Sequence, residues 1–336
     1  MEMIEKDKLY PFIFEPIYME RMWGGNYMSE HLNRKLPKGK KNIGEAWELS
    51  DRDDAQSIVT NGPLKGCSLK KLVEHYGKNL VGSSFRGGKF PLLVKLIDAG
   101  KRLSLQVHPD EAACAKLGEG AEPKTEMWYV IACDRDAKIM SGLKGSATKR
   151  QFMDSLNSPD IEDYLQVSDS RPGDAYFINS RRIHAIGAGN LLLEIQQNSD
   201  TTFRVSDWGR VDENGKSREL HLEKALKCID FMDRTSSRIA GVSDAMAHNR
   251  KFPIINKCPF FRVDDLRLVE KWQDTTQAAG SFNLITAINY PVTVGRDEKM
   301  TRVEPGSTCL IPASFGRYSI ILEKEDETTT VLKTTL

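Results

Sequence analysis

Gln106 and His108 stand two residues apart in LSLQVHPDE, residues 103–111. In an extended strand this spacing puts both side chains on one face with Ser104, and leaves Leu103, Leu105 and Val107 on the other. The second face reads as core. The first is a polar row that an apolar stretch carries only where something uses it. Further on, PKTEMWYVI sets Glu126 and Trp128 on one face of a later strand, away from Met127, Tyr129 and Ile131. SRRIHAIGAG then offers His184 in a Gly-flanked turn or strand start. Two imidazoles, a carboxylate and an amide oxygen form a donor set for a divalent first-row metal. With a single formal negative charge among them, the ion stays net positive and useful as a Lewis acid.

Donor type alone does not fix the reaction, since two His and a carboxylate are also the facial triad of Fe(II) oxygenases. The neighbouring cations narrow it. Lys95, Lys101, Lys124, Arg204 and Arg210 lie close in sequence to the donor segments, and Lys124 shares a strand face with Glu126. Such a set suits an anionic small molecule such as a sugar phosphate. A non-catalytic sugar-binding protein of the same build is the third reading. His31, His75, His221 and His248 have no such company and read as structural or surface residues.

These donors need strands to hold them, and strand-like runs dominate. They include AWELS (46–50), SIVT (57–60), PLLVKLID (91–98), LSLQVH (103–108), MWYVIAC (127–133), DAYFI (174–178) and NLLLEIQQ (190–197), with five more between 261 and 323. All are short, rich in β-branched and aromatic residues, and cut by Gly, Pro, Asp and Asn. Helical spacing appears over 68–82, in DEAACAKLG after Asp110 as N-cap, in ATKRQFMDSL with PDIEDYL, and in ELHLEKALKCIDFM. Many strands with few helices predict a mainly β fold of antiparallel barrels or jelly rolls. RPGDAYFINSRRIHAIGAG (171–189) is echoed by VEPGSTCLIPASFGRYSI (303–320). Each has a PG turn, a strand, a loop and a second strand, but only the first carries a His. The echo predicts two related barrels, residues 1–240 with the metal donors and 241–336 without them, with the polar, aperiodic stretch 234–255 as the connection.

A formal net charge of +1 gives no field that would draw nucleic acid or an anionic membrane. The basic run KLPKGKK (35–41) reads as solvated loop. No stretch approaches the ~20 apolar residues of a span, and the acidic N-terminus lacks the pattern of a secretory signal. Six dispersed Cys without CxxC spacing read as reduced thiols, so the expected location is cytoplasmic.

The segments FPLLVKLIDAGKRLSLQVHPDE, PKTEMWYVI and RRIHAIGAGNLLLEIQQNSDTTFRVSDWGR, with MWGG (22–25) and IGEAWELS (43–50), together resemble the type I mannose-6-phosphate isomerases, zinc enzymes of the cupin superfamily. The likeness runs over roughly residues 10–230 and follows the short bacterial branch in length. It implies two cupin-type jelly-roll barrels with a few inserted helices. It also implies one Zn2+ held by Gln106, His108, Glu126 and His184, and interconversion of D-mannose 6-phosphate and D-fructose 6-phosphate. The residue matching Arg204 belongs to the family's active site, and the one matching Lys124 lies beside the metal. Arg210 stands where longer members tend to carry Lys, and their large helical insertion is missing. Moving a proton between C2 and C1 through an enediol(ate) needs carbonyl polarisation, a base and donors for the oxyanion. The candidates here are Arg204 as electrostatic stabiliser, Lys124 as a base of depressed pKa, and Glu194 as a third option. Ser104, Lys95 and Arg210 are the candidate phosphate contacts.

Overall fold

The computed structural model describes residues 3–118, 120–156, 158–212, 214–242, 247–324 and 326–336. Among these the chain is mainly β, in antiparallel sheets with short helices between them. Its described residues form two compact units, a first from 18–45 and 96–242 and a second from 1–17, 46–95 and 243–336. The sequence reading drew one boundary at 240/241, whereas these units are interleaved. The chain passes from one to the other inside three strands, Ile17–Glu20, Ile43–Leu49 and Leu92–Ala99.

The strands that frame the donors are β1 (Leu92–Ala99), β2 (Leu105–Val107), β3 (Glu126–Cys133), β4 (Lys138–Leu143), β5 (Leu165–Asp169), β6 (Ala175–Ile178), β7 (His184–Ile186), β8 (Asn190–Gln197) and β9 (Phe203–Ser206). One sheet runs β5-β4-β7-β2-β9. The other contains β6-β3-β8-β1, continued by Arg238–Ile239 beside β6 and by Ile43–Leu49 and Ile17–Glu20 beyond β1. Alternation sorts the five-stranded sheet into two buried faces. Ile139 and Ile186 pack with Trp128, Val130, Tyr176 and Leu192 of the other sheet. Leu105, Val107, Met140 and Ala185 pack instead with Ala113, Phe152 and Ala225 of the helices. Each fully buried aliphatic side chain of this kind contributes roughly 1.5–3 kcal/mol.

The second unit holds β10 (Arg262–Leu268), β11 (Trp272–Thr275), β12 (Asn283–Ala287), β13 (Val292–Arg296), β14 (Lys299–Val303), β15 (Thr308–Ile311), β16 (Arg317–Leu322) and β17 (Thr329–Thr335). Its sheets run β15-β12-β17-β10 and β11-β16-β13-β14, the first extended by Phe12–Ile13 and Arg250–Ile255. Ile285, Val294, Cys309, Ile320 and Val331 share its core. The two PG turns of the sequence echo are built alike. Gly173 has φ 89° and Gly306 has φ 77°, the left-handed value that a Pro-Gly turn requires.

Several expectations are corrected. Leu103 precedes β2 and packs with Ile97 and Trp128, so it does not share a face with Leu105 and Val107. SIVT forms only isolated bridges, Ile58 to Ser68 and Phe14 to Val59. The 68–82 helix breaks at Gly77, φ 44°, into Leu69–Tyr76 and Lys78–Val81, and PDIEDYL is a 3-10 turn. The expected connection 234–255 contains the strands Arg238–Ile239 and Arg250–Ile255, while its residues 243–246 lie outside the described residues.

Candidate metal centre and its surroundings

β2 ends before Pro109, and Asp110 then caps the helix Glu111–Leu117 by accepting from Ala113 N at 2.7 Å. This fixes the backbone just beyond His108, whose carbonyl accepts from Arg181 N at 2.7 Å. Register assembles the rest. His184 lies directly opposite both Ser141 and Gln106, and Gln106 lies opposite Arg204. Residues opposite one another share a face, so Ser141, His184, Gln106 and Arg204 form a row across four strands. Glu126, first residue of β3, reaches that row from the other sheet.

There His108 Nε2 is 3.4 Å from Glu126 Oε2, and His184 Nε2 is 3.3 Å from Glu126 Oε1. Glu126 Oε1 and His108 Nε2 are buried without hydrogen-bond partners, while Glu126 Oε2 also meets the Lys124 ammonium. The tautomers explain why. His108 Nδ1 donates to the Thr201 carbonyl and His184 Nδ1 to the Arg182 carbonyl, each at 2.8 Å. The proton is thus held on the far nitrogen, and each Nε2 turns a lone pair toward the carboxylate. Burial lowers the pKa of both imidazoles, that of His184 to about 3, so they are neutral donors at ordinary pH. Lone pairs converging on lone pairs in a dry interior are repulsive without a cation between them. Donor types and spacing therefore fit a divalent ion, and these three residues are a candidate metal group. The Gln106 amide nitrogen faces His184 Nε2 at 3.3 Å. A half-turn of that amide brings its oxygen to the same point.

Lys124 Nζ lies 2.7 Å from Glu126 Oε2, and both side chains are almost fully buried. Burial disfavours both charges, but the attraction between them outweighs it. The carboxyl of Glu126 is held well below its usual range and the Lys124 pKa is raised, with Glu194 adding to the latter. A depressed Lys124 pKa was expected from its place beside the donors, and this is corrected by the ion pair. Glu194 accepts from Trp128 Nε1 at 2.9 Å, while both His Nδ1 atoms go to backbone carbonyls. Trp128 also meets the His184 ring edge-on at 5.3 Å and, with Trp23, belongs to the core.

Ser104 is buried and donates to Gln106 Oε1 at 3.3 Å, which places it at the donors. Arg204 Nη1 donates to the Glu219 carbonyl at 2.7 Å, and its Nε is buried without a partner. Arg210 Nη2 bonds Asp207 at 2.5 Å, and its Nη1 reaches the Arg102 carbonyl, two residues before Ser104. Lys95 falls in the second unit, where its ammonium lies 4.9 Å from the centroid of the Trp47 ring. Sequence reasoning missed Asp207 and Arg218. Asp207 lies three residues before Arg210, a spacing that could have suggested the pair, but Arg218 sits in the polar run GKSREL with no pattern to mark it.

A cupin-type jelly roll with a candidate metal group inside it and arginines along one edge defines a class that comparison makes specific. Residues 12–140 match the family described as phosphomannose isomerase type I, catalytic domain. The mannose-6-phosphate isomerase ManA of Bacillus subtilis is 32% identical over 92% of this chain and 95% of its own length. The probable mannose-6-phosphate isomerase GmuF of the same organism is 34% identical over 93% and 96%. The crystal structure of the Bacillus subtilis mannose 6-phosphate isomerase superposes with a TM-score of 0.83 at 29% identity, covering 98% of this chain and 100% of that one. A putative mannosephosphate isomerase from Archaeoglobus fulgidus shares the fold, with a TM-score of 0.74 at 22% identity and 97% of each chain covered. The chain belongs to the type I phosphomannose isomerase family and is an enzyme.

Proposed function

We propose that this enzyme interconverts D-mannose 6-phosphate and D-fructose 6-phosphate through an enediol(ate), with a zinc ion held by Gln106, His108, Glu126 and His184. The observation that carries the reading is the buried convergence of His108 Nε2, His184 Nε2 and both Glu126 oxygens, with His108 Nε2 and Glu126 Oε1 unpartnered. The relatives' names supply the substrate. Zinc bound there would supply Lewis-acid polarisation of the sugar carbonyl. The chain's own residues do the rest. The Thr201 and Arg182 carbonyls keep both imidazoles in the donor tautomer. Lys124 and Arg204 stabilise negative charge developing on the enediolate oxygens. Lys124, kept as an ammonium by Glu126, acts there as a charged hydrogen-bond donor and not as the base. Glu194 is then the candidate acceptor for the C2 proton. Ser104 and Arg210 take the phosphoryl end, and Lys95 is left out of this assignment. Six free thiols favour a reducing compartment such as the cytoplasm.

The test is metal analysis of the purified protein with a coupled mannose 6-phosphate assay, before and after chelation. The expected result is bound zinc, with turnover lost on chelation and restored by zinc. Iron content without turnover of mannose 6-phosphate would overturn the reading.

A further inference from the structure

Beyond the candidate metal group, the edge of the five-stranded sheet gathers an unusual set of charges. Asp207 follows β9 and is 5% exposed. Arg210 bonds it through Nη2 at 2.5 Å and also donates from Nε to its carbonyl at 3.2 Å. Arg218 grips the same carboxylate with a fork, Nε to Oδ2 at 2.9 Å and Nη2 to Oδ1. Arg204 feels Arg218 as the leading charge among its neighbours, followed by Asp207 and Arg210. Three guanidiniums against the carboxylates of Asp207 and Glu219 leave one unbalanced positive charge in a half-buried place. Arg102 is already paired with Glu162, and its guanidinium stacks 3.8 Å from the centroid of the Trp208 ring. Trp208 itself has φ 59°, an outlier for a bulky residue and of the kind that clusters at ligand sites. A cavity of about 470 Å³ opens here, lined among others by Arg210, Arg218, Asp207, Ser158, Ser206 and Ser217.

Like charges gathered away from water are costly unless an anion arrives to balance them. A sugar phosphate brings about 1.5–2 negative charges at neutral pH. We propose that Arg218 binds the substrate's phosphoryl group together with Arg210, and that Asp207 is the positioning residue that holds both guanidiniums in register for it. The proposal rests on the isomerase reading and deepens it. Arg102, being stacked and paired, shapes the wall.

The experiment compares wild type, Arg218→Gln, Arg218→Lys and Asp207→Asn. It reads KM and kcat for mannose 6-phosphate, competitive inhibition by inorganic phosphate, melting temperature and metal content. Arg218→Gln should raise KM about 10–100-fold with kcat within a few-fold, and weaken phosphate inhibition by a similar factor. Arg218→Lys keeps the charge without the fork and should recover part of the loss. Asp207→Asn separates position from charge. If charge alone mattered, removing the carboxylate would tighten phosphate binding, whereas positioning requires it to weaken. Tighter phosphate in Asp207→Asn, or KM and phosphate inhibition within twofold of wild type in Arg218→Gln, overturns the proposal. Wild-type failure to turn over mannose 6-phosphate would instead remove the isomerase reading. Calorimetry with inorganic phosphate then still decides the subsite, with binding by wild type and not by Arg218→Gln supporting it and equal binding overturning it.

Discussion

β1 to β8 and β10 to β17 follow one another in the same chain order and take the same neighbours in their sheets. Among these numbered strands only β9, which brings Arg204, has no counterpart. Register matches the two centres residue by residue. Glu126 faces Ile178 as Asn283 faces Ile311, Glu194 faces Trp128 as Lys333 faces Ile285, and His184 faces Gln106 as Tyr318 faces Asp274. Where the first barrel turns acceptors toward one another, the second is closed upon itself. Lys333 Nζ lies 2.7 Å from Asp274 Oδ2, and Asn283 donates to the Tyr318 hydroxyl at 2.8 Å. Burial pushes the Tyr318 pKa well up, so that hydroxyl keeps its proton. Each centre thus carries a lysine beside a carboxylate, but the first also sets two imidazole nitrogens against that carboxylate, and the second does not.

The comparison breaks most visibly at Glu126. Glu126→Gln keeps the shape and removes the charge, so metal content should fall and turnover drop on the order of 10³-fold. Metal analysis and the coupled assay check it. Full metal occupancy in this variant would remove Glu126 from the donor set.

Lys333→Ala is the converse. It strands Asp274 in the second barrel, and breaking such a pair costs about 3–5 kcal/mol. Urea unfolding should show that loss while the folded protein keeps its metal and its KM. Replacing both partners, as Lys333→Met with Asp274→Leu, should return most of the stability, because two apolar groups leave no charge unpaired. A double variant as unstable as the single one would show that Lys333 does more than balance Asp274.

The two barrels also differ in how well their sequences announce them. Gln106, His108 and Glu126 were legible because strand alternation is a local rule, and Asn190–Gln197 matched its predicted bounds. The β4 strand, KIMSGL, escaped because both faces are buried, so its pattern does not alternate between apolar and polar. The β17 strand, TTVLKTT, escaped because a Thr-rich run looks solvated, though every residue in it is buried. The echo of the PG turns pointed to paired barrels, but His184 lies 11 residues after Gly173 and Tyr318 lies 12 after Gly306. That one-residue difference hid the match between them. Asp207 with Arg218, and Asp274 with Lys333, are contacts across 11 and 59 residues that no local pattern encodes.

The smallest expected difference lies on the faces of β1 and β10 that turn away from the two cores. On β10, Asp265 and Arg267 neutralise each other through paired 2.7 Å bonds. On β1, Asp98 is 0% exposed and accepts from Met28 N at 2.8 Å, but its Oδ1 has no hydrogen-bond partner. Burial raises its pKa to about 6. An unfolded Asp titrates near ~3.9, so between these values the folded state binds the proton more tightly. Stability from this group is therefore fully present below about pH 4 and is lost as pH rises through about 6, amounting to roughly 2–3 kcal/mol. Asp98→Asn should match wild type near pH 4 and exceed it at pH 7, measured as urea midpoints across that range. A wild-type curve parallel to that of Asp98→Asn would show that the Met28 amide already balances the charge, as Arg267 does on β10.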